Sequence, residues 1–140
     1  MECIFCSIVS GKTPSAKVYE SDDCIAVVDI TPLRKGQLLL LSKRHHNDIF
    51  DVPKGELKDM AVLAQQLSVA LANAISAKGV RIENKSGACA GQFIRHFSIS
   101  IVPCKEGDEQ KPLAPGHYDD EEELEYFRKK IADQISAQGL

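Results

Sequence analysis

The residues best placed to do chemistry in this chain are cysteines and histidines. Cys3 and Cys6 form a Cys-x-x-Cys pair, and two thiolates at that spacing can close on one metal ion. A structural tetrahedral zinc takes about four ligands, so two more donors must come from distant positions. His45, His46 and His96 are the candidates, with His117 an outsider in a polar stretch. Such a pair also serves thiol–disulfide exchange, but thioredoxin-like pairs follow a strand and open a helix; no strand is expected before Cys3. A second group lies at residues 93–102, read as a strand. With a period of two, Phe93, Arg95, Phe97, Ile99 and Ile101 share one face, and Ile94, His96, Ser98, Ser100 and Val102 the other. A histidine and two hydroxyls in a row, just after the small-residue loop at 86–92, make either a ligand-facing surface or an ordinary solvated strand face. Periodicity leaves both open.

The elements that must position these groups are short and mixed. Residues 17–20 and 24–30 read as strands joined by Ser21-Asp22-Asp23, and the leucine run at 37–41 as a third strand covered on both faces. One long helix follows, with Asp51 as expected N-cap. Its buried stripe is Leu57, Met60, Ala61, Ala64, Leu67, Leu71, Ala74 and Ile75, and Lys78-Gly79 is its expected end. Residues 80–84 read as a fourth strand. Five acids at 119–123 sit at the start of a last helical pattern, Leu124, Phe127, Ile131 and Ile135, where the helix dipole favours negative charge.

The chain is 140 residues long, 44% apolar and 26% charged, with a net charge of −3. That size fits one α+β domain, and the charge gives no support for nucleic-acid binding, which wants clustered positive charge. No apolar run nears the roughly 20 residues that cross a bilayer. The first residues lack the pattern of a secretory signal, and five cysteines are an odd number for a disulfide framework. The expected compartment is the cytosol, or the nucleus.

The residues resemble a known family. The opening Cys3-Ile4-Phe5-Cys6-Ser7-Ile8-Val9-Ser10-Gly11-Lys12-Thr13-Pro14-Ser15 is similar to that of zinc-containing histidine triad (HIT) proteins. Val27-Val28-Asp29-Ile30-Thr31-Pro32, Lys35-Gly36-Gln37-Leu38-Leu39-Leu40, Ser42-Lys43-Arg44-His45 and Ala90-Gly91-Gln92 with His96 follow in that family's order and spacing. The resemblance spans residues 2–104 and divides the chain into a HIT-like domain, 1–104, and an extension, 105–140, that begins its helix with acids. It implies an antiparallel five-stranded sheet with one long helix packed on it, to which the extension adds a short C-terminal helix by its own pattern, and a homodimer in which the two sheets join. It implies zinc on Cys3, Cys6, His45 and His96, with His46 the one-residue alternative to His45. It also implies a purine nucleotide or similar ligand, with Ile4, Phe5 and Ile30 flanking the base, Asp29 at the ribose and Gln92 near phosphate. Read alone, Asp29 is a strand-end turn acid and the three apolar residues are core.

The family's catalytic strand reads His-φ-His-φ-His-φ-φ, with φ apolar. Here it reads His96-Phe97-Ser98-Ile99-Ser100-Ile101-Val102, so the position of the family's nucleophile is Ser98 and that of its third histidine is Ser100. Lys85 stands where an asparagine is usual, and Phe93 where a small residue is. A neutral hydroxyl needs a base within hydrogen-bond reach to attack phosphorus. The expectation is therefore a zinc-binding, nucleotide-binding protein with lost or very weak hydrolase or transferase activity. The alternatives are an active hydrolase of nucleoside phosphoramidates or dinucleotides, and a non-catalytic interaction protein.

Overall fold

A computed structural model describes residues 3–140. Five antiparallel strands form one sheet in the order β1-β2-β3-β5-β4. They are β1 (Ala16–Glu20), β2 (Cys24–Val28), β3 (Leu38–Ser42), β4 (Gly79–Glu83) and β5 (Ser98–Cys104). The helices are α1 (Ile4–Val9), α2 (Lys54–Ile75) and α3 (Glu121–Ala137). This is the α+β sheet and long helix expected from the sequence. In β3, Leu38, Leu40 and Leu41 are buried, because alternating side chains serve two covered faces.

On one face, α2 and α3 pack over Ala26, Val28, Leu38, Leu40, Ile99 and Ile101. On the other, α1 lays Phe5, Ile8 and Val9 against Ile25, Val27 and Leu41. The sequence pattern assigns no element to the residues of the short helix α1. Six residues with no side-chain cap carry little helical signal of their own. Burial against the second sheet face holds them.

Several element ends differ from expectation. Helix α2 starts after Pro53, not Asp51; the Asp51 carboxylate instead accepts from the N–H groups of Asn47 and Asp48, both at 3.1 Å. It ends at Ser76, with φ 56°, while Gly79 already belongs to β4. Ala61 is exposed, and Leu63 and Ala70 widen the buried stripe. The last strand begins at Ser98, so residues 93–97 lie outside it. There the Gln92 side chain bonds Gly87 N–H, the Asn47 carbonyl and the Ile94 carbonyl, and these local bonds displace a ladder.

Helix α3 is capped as its acids suggest. Asp120 accepts from the Glu123 N–H at 2.8 Å, and Glu123 reaches back to the Asp119 N–H at 2.8 Å. Ile131 and Ile135 are buried in the same cluster as Tyr118, Leu67 and Leu71. Burial pushes the Tyr118 hydroxyl up to about 12, so it stays neutral. Asp108, also buried, pairs through both carboxylate oxygens with Arg34.

Ile131→Ala removes a fully buried side chain and costs about 2–5 kcal/mol in denaturant unfolding; a change within error places α3 outside the cooperative unit. For Asp108, the Arg34 guanidinium and then the Lys105 N–H hold the carboxyl below the usual range. A group lowered on folding contributes stability above its unfolded pKa and loses it as pH falls through the folded value. Asp108→Asn thus lowers Tm at pH 7, and its gap from wild type narrows below the unfolded value of 3.8. Equal Tm values at neutral pH would remove that role.

Candidate metal centre and ligand cleft

The pairing of β3 with β5 builds the first site. Leu41 lies opposite Ser98, so continuing both chains beyond that pair brings His96 beside the turn at 42–45. That turn is tightened by Ser42 Oγ, which donates to the Arg44 carbonyl at 2.8 Å. Across the sheet, Cys3 and Cys6 sit one helical turn apart, at the N-cap and in the first turn of α1. The ligand atoms of Cys3, Cys6, His45 and His96 all lie within 4.8 Å of one another.

The protons of both rings are accounted for. His96 Nε2 is 2.7 Å from the Ser42 carbonyl. A carbonyl can only accept, so Nε2 carries the hydrogen and Nδ1 offers a lone pair. That Nδ1 faces the sulfurs of Cys3 and Cys6, at 3.5 Å each. His45 repeats the arrangement, with Nδ1 3.2 Å from Cys6 Sγ and Nε2 3.1 Å from Asn47 Oδ1. Burial lowers the His96 pKa, favouring the neutral ring that ligation requires. Two thiolates and two imidazoles, each ring oriented from behind, fit a tetrahedral zinc-type ion. Four protein ligands leave no open position for a substrate, so such an ion would brace the fold.

The alternatives are placed elsewhere. His46 turns away, its Nε2 2.6 Å from Glu56 at the start of α2. His117 is exposed on the C-terminal segment and belongs to no metal-ligating group found among the described residues.

Beside the cluster lies a cleft of about 510 Å³. Ser98 and Ser100, Asp29, Gln92, Ile4, Phe5 and Ile30 all line it. The serine face of β5 thus lines a cleft rather than the open surface, and both serines are half-buried. Ser100 Oγ accepts from Gln37 Nε2 at 2.8 Å, while Gln37 Oε1 accepts from the Leu33 N–H at 2.7 Å. Asp29 Oδ1 accepts from the Thr31 N–H at 2.9 Å, so it is a turn acid that also borders the cleft. Gln92 is present with its amide fully engaged in holding the 87–92 loop. Lys85 and Phe93 stand at the same end, and Phe93 is 96% exposed, so its ring does not plug the cleft. Both ring nitrogens of His96 are committed, so it cannot serve as a base for Ser98.

Gln37, Glu83 and Pro115 also line the cleft and were not singled out by sequence. Only Gln37 left a trace, as a polar residue opening a leucine strand. Glu83 and Pro115 reach the cleft through pairing and chain path that sequence does not display.

The relatives agree with this architecture. The model of the HIT domain matches residues 10–107. An uncharacterised HIT-like protein of Mycobacterium tuberculosis is 33% identical over 108 residues, 77% of this chain and 75% of that one. A Zn-bound histidine triad family protein from Mycobacterium smegmatis superposes with a TM-score of 0.89 at 28% identity, covering 99% of this chain and 96% of that one. A hypothetical histidine triad nucleotide-binding protein from Sulfolobus tokodaii gives 0.88 at 29% identity, over 96% and 93%. The chain belongs to the HIT family. Among the described residues, no helix is long and apolar enough to cross a membrane.

The orientation of His45 is open to test without touching a ligand atom. Asn47→Ala removes the partner of Nε2 and lowers metal affinity about 10- to 100-fold, read by competition with a chromogenic chelator. Unchanged affinity would mean that the turn alone sets the ring.

Proposed function

We propose that this protein is a zinc-braced HIT protein that binds a purine nucleotide and turns it over very slowly or not at all. The observation that carries the reading is the cleft itself. Its floor presents two serines, and the one neighbouring imidazole on the same strand path is engaged at both nitrogens. By the family resemblance, Ser98 occupies the nucleophile position and Ser100 that of the third histidine. A serine nucleotidylated there would form a phosphate ester, which resists hydrolysis far better than a P–N bond. Nucleotide binding is supported by the apolar walls Ile4, Phe5 and Ile30 and by Asp29 at one end of the cleft. Zinc is supported by the S₂N₂ donor set and its oriented rings. The thiolate ligands suit a reducing compartment such as the cytosol.

The homodimer draws on the edge of the sheet. β4 is an edge strand with Ile82 half-exposed, and Val62 and Val69 on α2 are exposed at 52% and 51%. An unpaired edge with apolar neighbours is a template for pairing.

A second reading, a non-catalytic interaction protein, draws on Phe93 beside the cleft and Phe50, 85% exposed. The experiment separates them. Wild type and Ser98→His, alone and with Ser100→His, are assayed on an adenosine phosphoramidate, with AMP-induced change in Tm measured in parallel. An AMP shift with an inert wild type and an active revertant is the expected result. Rapid wild-type turnover would overturn the reading, and no AMP shift in any variant would favour the interaction protein. Metal analysis should give one zinc per chain and a lower Tm with chelator.

A further inference from the structure

The chain beyond β5 returns to the cleft. After Cys104 it passes through a 3₁₀ turn, Asp108–Gln110, and an irregular segment to Asp120. Contacts along its length tie it to the connection between β2 and β3, residues 29–37. Arg34 grips Asp108 with two nitrogens. The Gly116 N–H donates to the Pro32 carbonyl at 2.8 Å. The Gly36 N–H donates to the Tyr118 hydroxyl oxygen at 3.0 Å. Lys35 Nζ lies 2.7 Å from Glu123. One residue before Gly116, Pro115 lines the cleft together with Ile30 and Thr31.

The anchored connection carries cleft groups at both ends. Asp29 and Ile30 begin it, and Gln37 ends it, with the Asp29 N–H donating to the Gln37 carbonyl at 2.8 Å. Gln37 in turn holds the Ser100 hydroxyl. Its turn is pressed onto the helices: Gly36 has φ +98°, and a Cβ there would stand 3.0 Å from Ile75 Cδ1 and 3.5 Å from Phe127. A shift of residues 32–36 therefore moves Asp29 at one end of the cleft and the Ser100 partner at its floor. The opposite end, with Lys85 and the 87–92 loop, receives none of these anchors.

We infer that residues 108–118 are a specificity element of the cleft, with Asp108 and Tyr118 as positioning residues for the 29–37 connection and Pro115 as its wall. The inference rests on the nucleotide-binding reading above and deepens it. The ligand selected is a ribonucleotide, discriminated from one lacking ribose hydroxyls. Asp29 Oδ1 is fixed by Thr31, so the direction of the second oxygen is set by where the connection sits. A loosened connection loses that aim while the phosphate end is unchanged.

Tyr118→Phe tests it, since the ring stays in the core and only the acceptor for Gly36 is lost. Wild type and variant are titrated calorimetrically with AMP and 2′,3′-dideoxy-AMP, and amide hydrogen exchange is followed in residues 29–37. The expected result is an AMP Kd raised about three- to tenfold, with the dideoxy Kd changed less than about twofold. Exchange in 29–37 should quicken while that of α2 does not. Asp108→Asn should reproduce the change in ratio from the other anchor. Equal weakening of both ligands, or an unchanged ratio with unchanged exchange, would overturn the inference. If wild type binds neither nucleotide, the nucleotide reading fails separately. Faster exchange confined to 29–37 then still supports the anchoring, and unchanged exchange overturns it.

Discussion

His96 is held from both sides of its ring: its Nε2–H donates to the Ser42 carbonyl and its Nδ1 faces two sulfurs. It is also 1% exposed, so neither bond is readily replaced by water. Through Ser42 it is tied to the end of β3, and the next residue, Phe97, donates its N–H to the His46 carbonyl at 2.7 Å just before β5 begins. Through Cys3 and Cys6 it fixes the start of α1, the helix that covers the second sheet face and supplies Ile4 and Phe5 to the cleft. Register, cover and cleft wall thus meet at one imidazole. The Phe5 ring stands edge-on to it, 5.9 Å between centroids.

Much of this was legible in the residues because the chemistry is specific. Cysteines three apart demand partners, and histidines near strand ends were the natural donors. His45 and His46 could not be separated bottom-up, since adjacent side chains in a turn point by its local path. The bond from Ser42 Oγ to the Arg44 carbonyl sets that path, and serine gives no sign of it in sequence. The alternation from Phe93 to Phe97 looked like strand, but Gly91 at φ 93° and the Gln92 side-chain bonds divert the backbone. The core half of the pattern, Phe97, Ile99 and Ile101, survived because burial depends on the face and not on the ladder.

The C-terminal segment shows a different limit. Its helix and acidic start could be read from period and charge. What its irregular residues touch could not, because Gly116, Tyr118 and Asp108 meet residues 32–36 through contacts 74 to 84 positions distant in sequence. Such pairings follow from the three-dimensional path and leave no local pattern.

The strand that opens beside the Cys/His cluster also divides labour along its length. His96 joins the Cys/His cluster, whereas Ser98 and Ser100, two and four residues on, are half-buried and lie outside it. The Ser98 side chain joins neither the Cys/His cluster nor the main apolar core, whereas the Ser100 hydroxyl also accepts from the buried Gln37 amide. A substitution at Ser98 therefore leaves the Cys/His cluster and the core in place, so the chemistry of the cleft can be altered separately from the strength of the scaffold.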